Sequence, residues 1–364
     1  MIGNRLRVAA VSYGLPVPGA RRGGIERVAH TLADGLARRG HDVTVFSHDP
    51  KPLDAAYGVQ PLPWKGFVNT WFGRRLTMGY LGNLLALAPT YRDFDAIVAH
   101  GDSLLLPLSG KPVIRLLHGS ALGEAQSAKS LGRRLLQLGV YAQELATAFL
   151  QPGVVALSEN ARRDNPLVRR VIALGVDDRI FTPDPTERNR EPTLLFVGTL
   201  SGRKRGHFLL RAFSEVVRRA HPTATLTIVG DVGPLDPGVT YHVGVEDREL
   251  AALYRRAWLY VTPSTYEGFG LPYLEAMACG TPVVATPNPG SLEVLDHGAC
   301  GVLASDAEFA SRIAALLADA DARASWSACG LRRASEYSLD AMLDRYEALL
   351  FELVGPDVAS VASH

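Results

Sequence analysis

The sequence is short of cysteine, of long apolar runs and of charge of one sign. Three cysteines, Cys279, Cys300 and Cys329, stand among 364 residues. An odd, sparse set fits a reducing cytosol better than a disulfide framework. No pair of them has metal-ligand spacing. Cys279 precedes the helix-ending Gly280 and reads as a packing residue. No window reaches the roughly 18 uncharged apolar residues of a membrane span. The basic start, Met1 to Asn4 and then Arg5-Leu6-Arg7, leads into an apolar run too short for a secretory signal. The formal net charge is +1, so nothing pulls the whole chain toward nucleic acid or a membrane. Also missing are a G-x-G-x-x-G fingerprint, a G-x-x-x-x-G-K-[ST] loop, a Ser-His-Asp elbow and a zinc cluster. These absences leave a cytoplasmic enzyme or binding protein that uses neither a nicotinamide fingerprint nor a metal.

What is present is α/β alternation, twice. The length suggests about two domains, and 47% hydrophobic residues can fill their cores. Arg7–Ser12 reads as a buried strand. Ile25–Arg39 has helical spacing (Ile25, Val28, Ala29, Leu32, Leu36) and ends in a basic turn before Gly40. Asp42–Ser47 reads as a second strand. Strand, helix, strand in so short a span is a right-handed βαβ unit with a parallel sheet. Further strands are expected at Ala96–His100, Val113–Leu117 and Val154–Ser158, with a long helix at Lys129–Leu150. Residues 183–192 are polar, carry three prolines and read as a linker. The alternation then restarts. Strands are expected at Thr193–Val197, Thr225–Val229, about Thr240–Val243, Trp258–Thr262 and Pro282–Ala285. Helices are expected up to Ala220, at Glu246–Ala257, and in three segments from Asp306 to the end. The fold expected is two Rossmann-like doubly wound domains facing across a ligand cleft. The first takes residues 1–182, the second 193–338, and a helix and tail at 339–364 pack back on the first.

One stretch concentrates the chemistry. Residues 264–284 run from a strand through Glu267-Gly268-Phe269-Gly270 into a helix beginning at Pro272, which Gly280 stops. A helix N-terminus behind a glycine turn offers free N–H groups and a positive dipole end to an anion. Proline suits the first helical turn, which needs no N–H there. Glu267 and Glu275 flank the turn, and carboxylates bind sugar hydroxyls through charge-assisted hydrogen bonds. Phosphate plus hydroxyls points to a sugar nucleotide. A second group, Gly198-Thr199 and then Arg203-Lys204-Arg205, follows the strand Thr193–Val197 and places cations at a sheet's carboxyl edge. A third, Gly23-Gly24 with Glu26 and Arg27, opens the first helix; the plain alternative is an ordinary strand–helix connection. His118-Gly119 follows the Val113–Leu117 strand, and a lone histidine there is either structural or a ligand contact. Ser158-Glu159-Asn160 reads as a simple cap. Asp93-Phe94-Asp95 has the D-x-D pattern of some metal sites, but here it reads as turn and capping chemistry.

These residues together resemble the retaining glycosyltransferase family 4, of the GT-B fold. The likeness rests on E-G-F-G-L-P-x-L-E-A-M-A-C-G-T-P-V-V from Glu267 and V-G-T-L-x-x-R-K at Val197–Lys204. Gly230-Asp231, Leu174-Gly175-Val176-Asp177 and Phe181-x-Pro183 add to it, and the first-half glycine loop, His118-Gly119 and Ala156-Leu157-Ser158 extend it over nearly the whole chain. The resemblance implies that Glu275 holds the nucleotide ribose and Glu267 the donor sugar's hydroxyls. The backbone of Gly268, Phe269, Gly270 and Leu271 would meet sugar and diphosphate. Arg203 and Lys204 would clamp the diphosphate, His118 would sit by the sugar, and Gly23, Gly24, Gly198 and Thr199 would line the donor site. Two departures stand out. Thr199 occupies the place of an arginine common in the family, and the R-K pair that follows is similar to a mannosyltransferase-like subgroup, which tilts the donor toward GDP-mannose over UDP or other hexose donors. Pro289-Gly290-Ser291-Leu292-Glu293 replaces a common glycine pair.

The resemblance implies transfer of a hexosyl group from a nucleoside diphosphate sugar, with no cofactor and no metal, to a hydroxyl of a glycan, lipid-linked or small-molecule acceptor. The other readings are a catalytically inactive sugar-nucleotide-binding partner and another GT-B enzyme such as an epimerase. Trp64–Tyr80 mixes aromatics with Lys65, Arg74 and Arg75, and Ser130–Leu138 sets Arg133-Arg134 beside leucines. Such stretches suit either peripheral contact at the inner membrane face or an acceptor-cleft lid and ordinary surface.

Overall fold

The computed structural model describes residues 5–17, 24–63, 82–101, 103–128 and 130–355. Gly23, Lys129 and the Trp64–Tyr80 stretch lie outside them. The chain divides into two compact units. The described residues up to 172 and from 343 onward form unit 1, and 173–342 form unit 2.

Unit 1 is a seven-stranded parallel sheet in the order β3-β2-β1-β4-β5-β6-β7. The strands are β1 (Arg7–Val11), β2 (Asp42–Ser47), β3 (Gly58–Pro61), β4 (Ala96–Ala99), β5 (Val113–Leu117), β6 (Val154–Ala156) and β7 (Arg170–Val171). Registers such as Val8↔Val43 and Val8↔Ala96 put β1 between β2 and β4. Continuous apolar strands are what a sheet covered on both faces requires, and Val8, Ala9, Ile97 and Ala99 are wholly buried. Gly24–Arg38 is the first crossover helix, burying Val28, Ala29, Leu32, Ala33 and Leu36. Ile25, in its first turn, is exposed instead.

Unit 2 is a six-stranded parallel sheet in the order β10-β9-β8-β11-β12-β13. Its strands are β8 (Thr193–Val197), β9 (Thr225–Val229), β10 (Val239–His242), β11 (Leu259–Thr262), β12 (Val283–Ala285) and β13 (Val302–Leu303). Its core joins Leu194, Phe196, Ile228, Val261 and Val284 with Phe213, Phe309 and Ile313 of the covering helices. The helix expected before Ala220 is broken into α-helix Gly206–Ala212, a π segment Phe213–Val217 and a last turn Arg218–Ala220.

The alternation was legible, whereas β3, β7, β13 and the helix Pro289–Val294 were not, because each is short and edge-like or proline-led. Residues 183–192, read as a linker, lie in unit 2. Arg188 anchors them there, its guanidinium donating to the carbonyls of Ala257 and Gly280. The last long helix, Leu339–Val354, begins beside Gly175, where a Cβ would lie 2.5 Å from the Ser338 carbonyl. From Leu343 onward it belongs to unit 1. There Glu347 meets Arg39 at 3.0 Å and His41 at 2.9 Å, and Arg170 pairs with Glu352 at 2.5 Å.

The cysteine expectation is corrected. Cys300 and Cys329 form a disulfide, although 29 residues separate them. The helix Ala320–Ser335 doubles back past the loop after Leu295, and Arg333 pins it there by donating to the Glu293 carbonyl at 2.9 Å. Cys279 is buried and free, and burial pushes its thiol up to about 12, so it packs and does not react. Among the described residues no helix is long and apolar enough to cross a membrane.

Candidate functional site

The strand order of unit 2 reverses between β8 and β11, which are neighbours though far apart in sequence. Ligands of open α/β sheets bind at such a switch point, outside the carboxyl ends of the strands. The two motif loops, 198–206 and 263–270, leave the sheet from just these strands.

Beyond β8, the Gly198 amide donates to the Val229 carbonyl at 2.8 Å. A Cβ on Gly198 would stand 3.0 Å from Cγ and Cδ of Lys204, whose stem crosses the glycine. Gly230 packs on Gly198 from β9, and Asp231 accepts the Leu200 amide at 2.9 Å. Thr199 closes the turn, donating to the Ser201 carbonyl at 2.6 Å. A one-turn 3₁₀ helix, Gly202–Lys204, then presents the cations. They divide. Arg205 is bound bidentately to Asp306, at 2.9 and 2.6 Å, and stacks on Phe208. Arg203 is exposed, and its backbone carbonyl accepts the Thr265 amide at 2.9 Å, locking the two loops together. Lys204 turns inward, its Nζ 2.7 Å from Glu267 Oε1.

Burial alone would raise the Glu267 carboxyl. Lys204 first and Arg203 next outweigh it and hold the group below its ordinary value, so it is a carboxylate. The turn after it is tightly built. Gly270 is left-handed at φ 103°, and a Cβ there would run into the Tyr273 ring. Gly290 touches the turn from the helix Pro289–Val294, where a Cβ would fall 2.8 Å from Glu267 Cβ. Phe269 is buried against Tyr337, which leaves only its backbone for a ligand. The helix Leu271–Ala278 starts there, with its free N–H groups and positive dipole end beside the Lys204–Glu267 pair.

Glu275 differs from Glu267. It is wholly buried, and its Oε2 accepts the Tyr254 hydroxyl at 3.0 Å. The sequence reading did not find the aromatic column around it. Tyr254, Tyr260 and Tyr273 stack edge to face with centroids 5.6 and 6.2 Å apart. Burial, then Tyr273, Glu267 and Glu275, push the Tyr260 hydroxyl far above its usual acidity constant, so this ring stands in the field of both carboxylates. Asn288 ties the column to the next helix, donating to Tyr273 Oη at 3.1 Å while capping Ser291.

In unit 1 the order reverses between β1 and β4. His100 stands at the end of β4, and His118 just beyond its neighbour β5. Their rings meet, with Nδ1 of His100 3.3 Å from Nε2 of His118. His100 is lowered to about 3, by burial and then by Arg115. His118 is lowered well below its ordinary value by burial, His100 and Arg115, in that order. Both rings are neutral at physiological pH. Gly119 leads to Ser120, which caps the helix Ala121–Ser127 through the Gly123 amide at 3.0 Å. Glu144 accepts the Ala121 amide at 3.3 Å, and burial raises its carboxyl to about 7. His100, Arg115 and Glu144 carry no motif, and only the fold reveals them. Gly24 opens the first helix, and a Cβ there would meet nothing within 4 Å. Ser158 is a helix cap, holding the Ala161 amide at 3.1 Å. Asp95 of the D-x-D accepts the amide of Arg7, the first residue of β1, at 2.7 Å, a long-range structural contact. Among the described residues no cluster of three or more His, Cys, Asp or Glu could hold a metal ion.

Comparison with known proteins identifies the family. The family described as "Glycosyltransferase Family 4" matches residues 22–179, and "Glycosyl transferases group 1" matches 191–319. D-inositol 3-phosphate glycosyltransferase of Corynebacterium jeikeium is 27% identical, over 96% of this chain and 97% of that protein. Phosphatidyl-myo-inositol mannosyltransferase of Propionibacterium freudenreichii is 26% identical, over 79% of this chain and 80% of that protein. In fold, sucrose-phosphate synthase of Thermosynechococcus elongatus superposes with a TM-score of 0.78 at 22% identity, covering 95% of this chain and 98% of that one. The chain belongs to glycosyltransferase family 4 and has the GT-B fold of two parallel-sheet α/β domains.

Proposed function

We propose that this glycosyltransferase moves a hexosyl group from a nucleoside diphosphate sugar to an acceptor hydroxyl with retained anomeric configuration. The observation that carries the reading is the Lys204–Glu267 contact of 2.7 Å beside a helix N-terminus at the switch point of unit 2. One small volume offers a cation and free amides to a diphosphate, and a carboxylate to sugar hydroxyls. In the reaction the bond from the sugar's anomeric carbon to the phosphate oxygen breaks. A bond to the acceptor oxygen forms on the same face, and the leaving phosphate oxygen takes the acceptor's proton. Lys204, Arg203 and the amides at Gly270–Tyr273 neutralise the charge that develops on the diphosphate. The proposed donor-site residues are Gly198, Thr199, Gly268, Phe269, Gly270 and Leu271, with Gly23 and Gly24 of unit 1. Glu275 is proposed for the ribose, with the Tyr254 hydroxyl holding its carboxyl group in place. His118, neutral, is proposed as a hydrogen-bonding partner of the sugar.

The donor favoured is GDP-mannose. Support comes from the Arg203-Lys204 pair and from the mannosyltransferase relative. The test is hydrolysis of a donor panel without acceptor, read as released nucleoside diphosphate. One donor releasing its diphosphate names the substrate, and no release from any donor sinks the reading.

The acceptor is proposed to be a glycan, a small molecule or a lipid-linked sugar at a membrane surface. The helix Leu131–Leu150 favours the last. It exposes Leu131, Leu135 and Leu138 at helical spacing beside an exposed Arg134. Sedimentation with anionic vesicles tests it, and protein that stays in the supernatant retires the membrane arm.

A further inference from the structure

We propose that His100 is a positioning residue that holds His118 in one tautomer, with His118 Nδ1–H offered outward as a donor to substrate. The proposal rests on the reading that His118 touches the sugar nucleotide. Two neutral imidazoles in contact through Nδ1 and Nε2 share one proton between those atoms, so one ring donates and the other accepts. The burial of His100 decides which. Its residue is 4% exposed, and its Nε2 has no hydrogen-bond partner among the described residues. A proton on that nitrogen would be a buried donor without an acceptor, in the field of the Arg115 guanidinium. A lone pair there is cheaper beside a cation. The proton of His100 therefore sits on Nδ1 and is donated to Nε2 of His118. The proton of His118 is left on Nδ1. Free histidine prefers the opposite tautomer, so the arrangement is imposed by the fold.

Among the described residues, the charged and titratable groups acting on the pair come from two strands. Arg115 lies on β5 and lowers both rings, and His100, at the end of β4, lowers His118. Both effects oppose protonation. His118 then works as a fixed neutral donor and takes no part in proton transfer. Holding it this way keeps a hydrogen bond to a sugar hydroxyl or phosphate oxygen available without a charge that would vary with pH.

The test is long-range proton–nitrogen NMR on the full chain carrying ¹⁵N-histidine, alongside donor-hydrolysis kinetics. Expected for the wild type is a His118 with Nε2 unprotonated and Nδ1 protonated, unchanged from pH 8 to 5.5. In His100→Leu the tautomer should become mixed, the His118 titration should move upward, and kcat/KM should fall roughly tenfold, the scale of one lost hydrogen bond. His100→Asn, whose amide Nδ2 stands near the place of the imidazole Nδ1, should recover both. A wild-type His118 protonated at Nε2, or averaging between forms, overturns the proposal. So does a leucine variant with an unchanged tautomer. A mixed tautomer with unchanged kcat/KM overturns the role toward substrate and shows that His118 lies away from it, while the pairing itself stands.

Discussion

The two units place opposite kinds of polar pair at the same kind of position. Unit 2 sets Lys204 against Glu267, an ion pair, beside its switch point. Unit 1 sets His100 against His118, a neutral pair, beside its own. Both pairs are largely withdrawn from water, and burial disfavours charge in both. In unit 2 the cost is offset because each charge has a partner and Arg203 adds a second cation. In unit 1 the nearby charge is Arg115, of the same sign as a protonated imidazole, so it reinforces burial and keeps the rings neutral. The same strand reversal in both sheets therefore carries one ion pair and one neutral pair, and the sign of the nearest fixed charge makes the difference.

The largest expected effect lies in unit 2. Lys204→Ala removes a preorganised cation, and turnover should fall by about 10²–10³. An unchanged kcat in steady-state kinetics would break the contrast, because the ion pair would then be structural only.

Gly198→Ala comes next. Its methyl would press on the Lys204 stem at 3.0 Å and displace the ammonium. Activity should drop about tenfold, with a stability loss of roughly 1–3 kcal/mol for the overpacked contact. Thermal melting together with donor hydrolysis separates the two, and a variant that loses stability but keeps its rate would show that Lys204 can shift freely.

Tyr254→Phe deletes the hydroxyl that Glu275 accepts. The donor KM should rise about 3- to 10-fold with kcat nearly intact, the size of one ordinary hydrogen bond. A change in kcat alone would remove Glu275 from ground-state binding.

The smallest effect is in pH dependence, where the units should separate. His100 has its folded value lowered from 6.5 to about 3. Below 6.5 the unfolded chain binds a proton that the folded chain refuses, so stability falls with pH from 6.5 downward. Glu267 is also lowered, from 4.5. Its contribution is present above 4.5 and is lost only as pH falls below that value. Amide protection factors, corrected for the intrinsic exchange rate, should fall at the ends of β4 and β5 between pH 6.5 and 5, while those of residues 198–206 and 264–270 hold until below 4.5. Simultaneous loosening would show that the two pairs are not independently protected.

How much was legible follows from whether a signal is local. The second-unit site is contiguous in sequence: Gly198 to Lys204 is one loop, and Glu267 to Glu275 one turn and helix. Glycine, proline and charge at fixed offsets therefore announced it. The helix Gly24–Arg38 and the strands β1, β5, β8 and β9 were likewise readable, because periodicity and caps are properties of neighbouring residues. The edge strand β3 and the two-residue strands β7 and β13 were not, since so short a span carries no period. Arg205 looked like a third free cation until the fold brought Asp306 to it from 101 residues away.

By itself the sequence determined the α/β class, the twofold repetition of that class and the chemistry of the donor loops, because each is written in residues close along the chain. Tertiary structure decided everything that depends on which strands lie side by side. It chose Lys204 over Arg205 as the partner of Glu267, stacked Tyr254, Tyr260 and Tyr273 around the two carboxylates, and joined Cys300 to Cys329. It also set His100, 18 residues upstream, against His118. The physical reason is that burial and nearby charge set protonation and partner choice, and neither exists until the chain has folded.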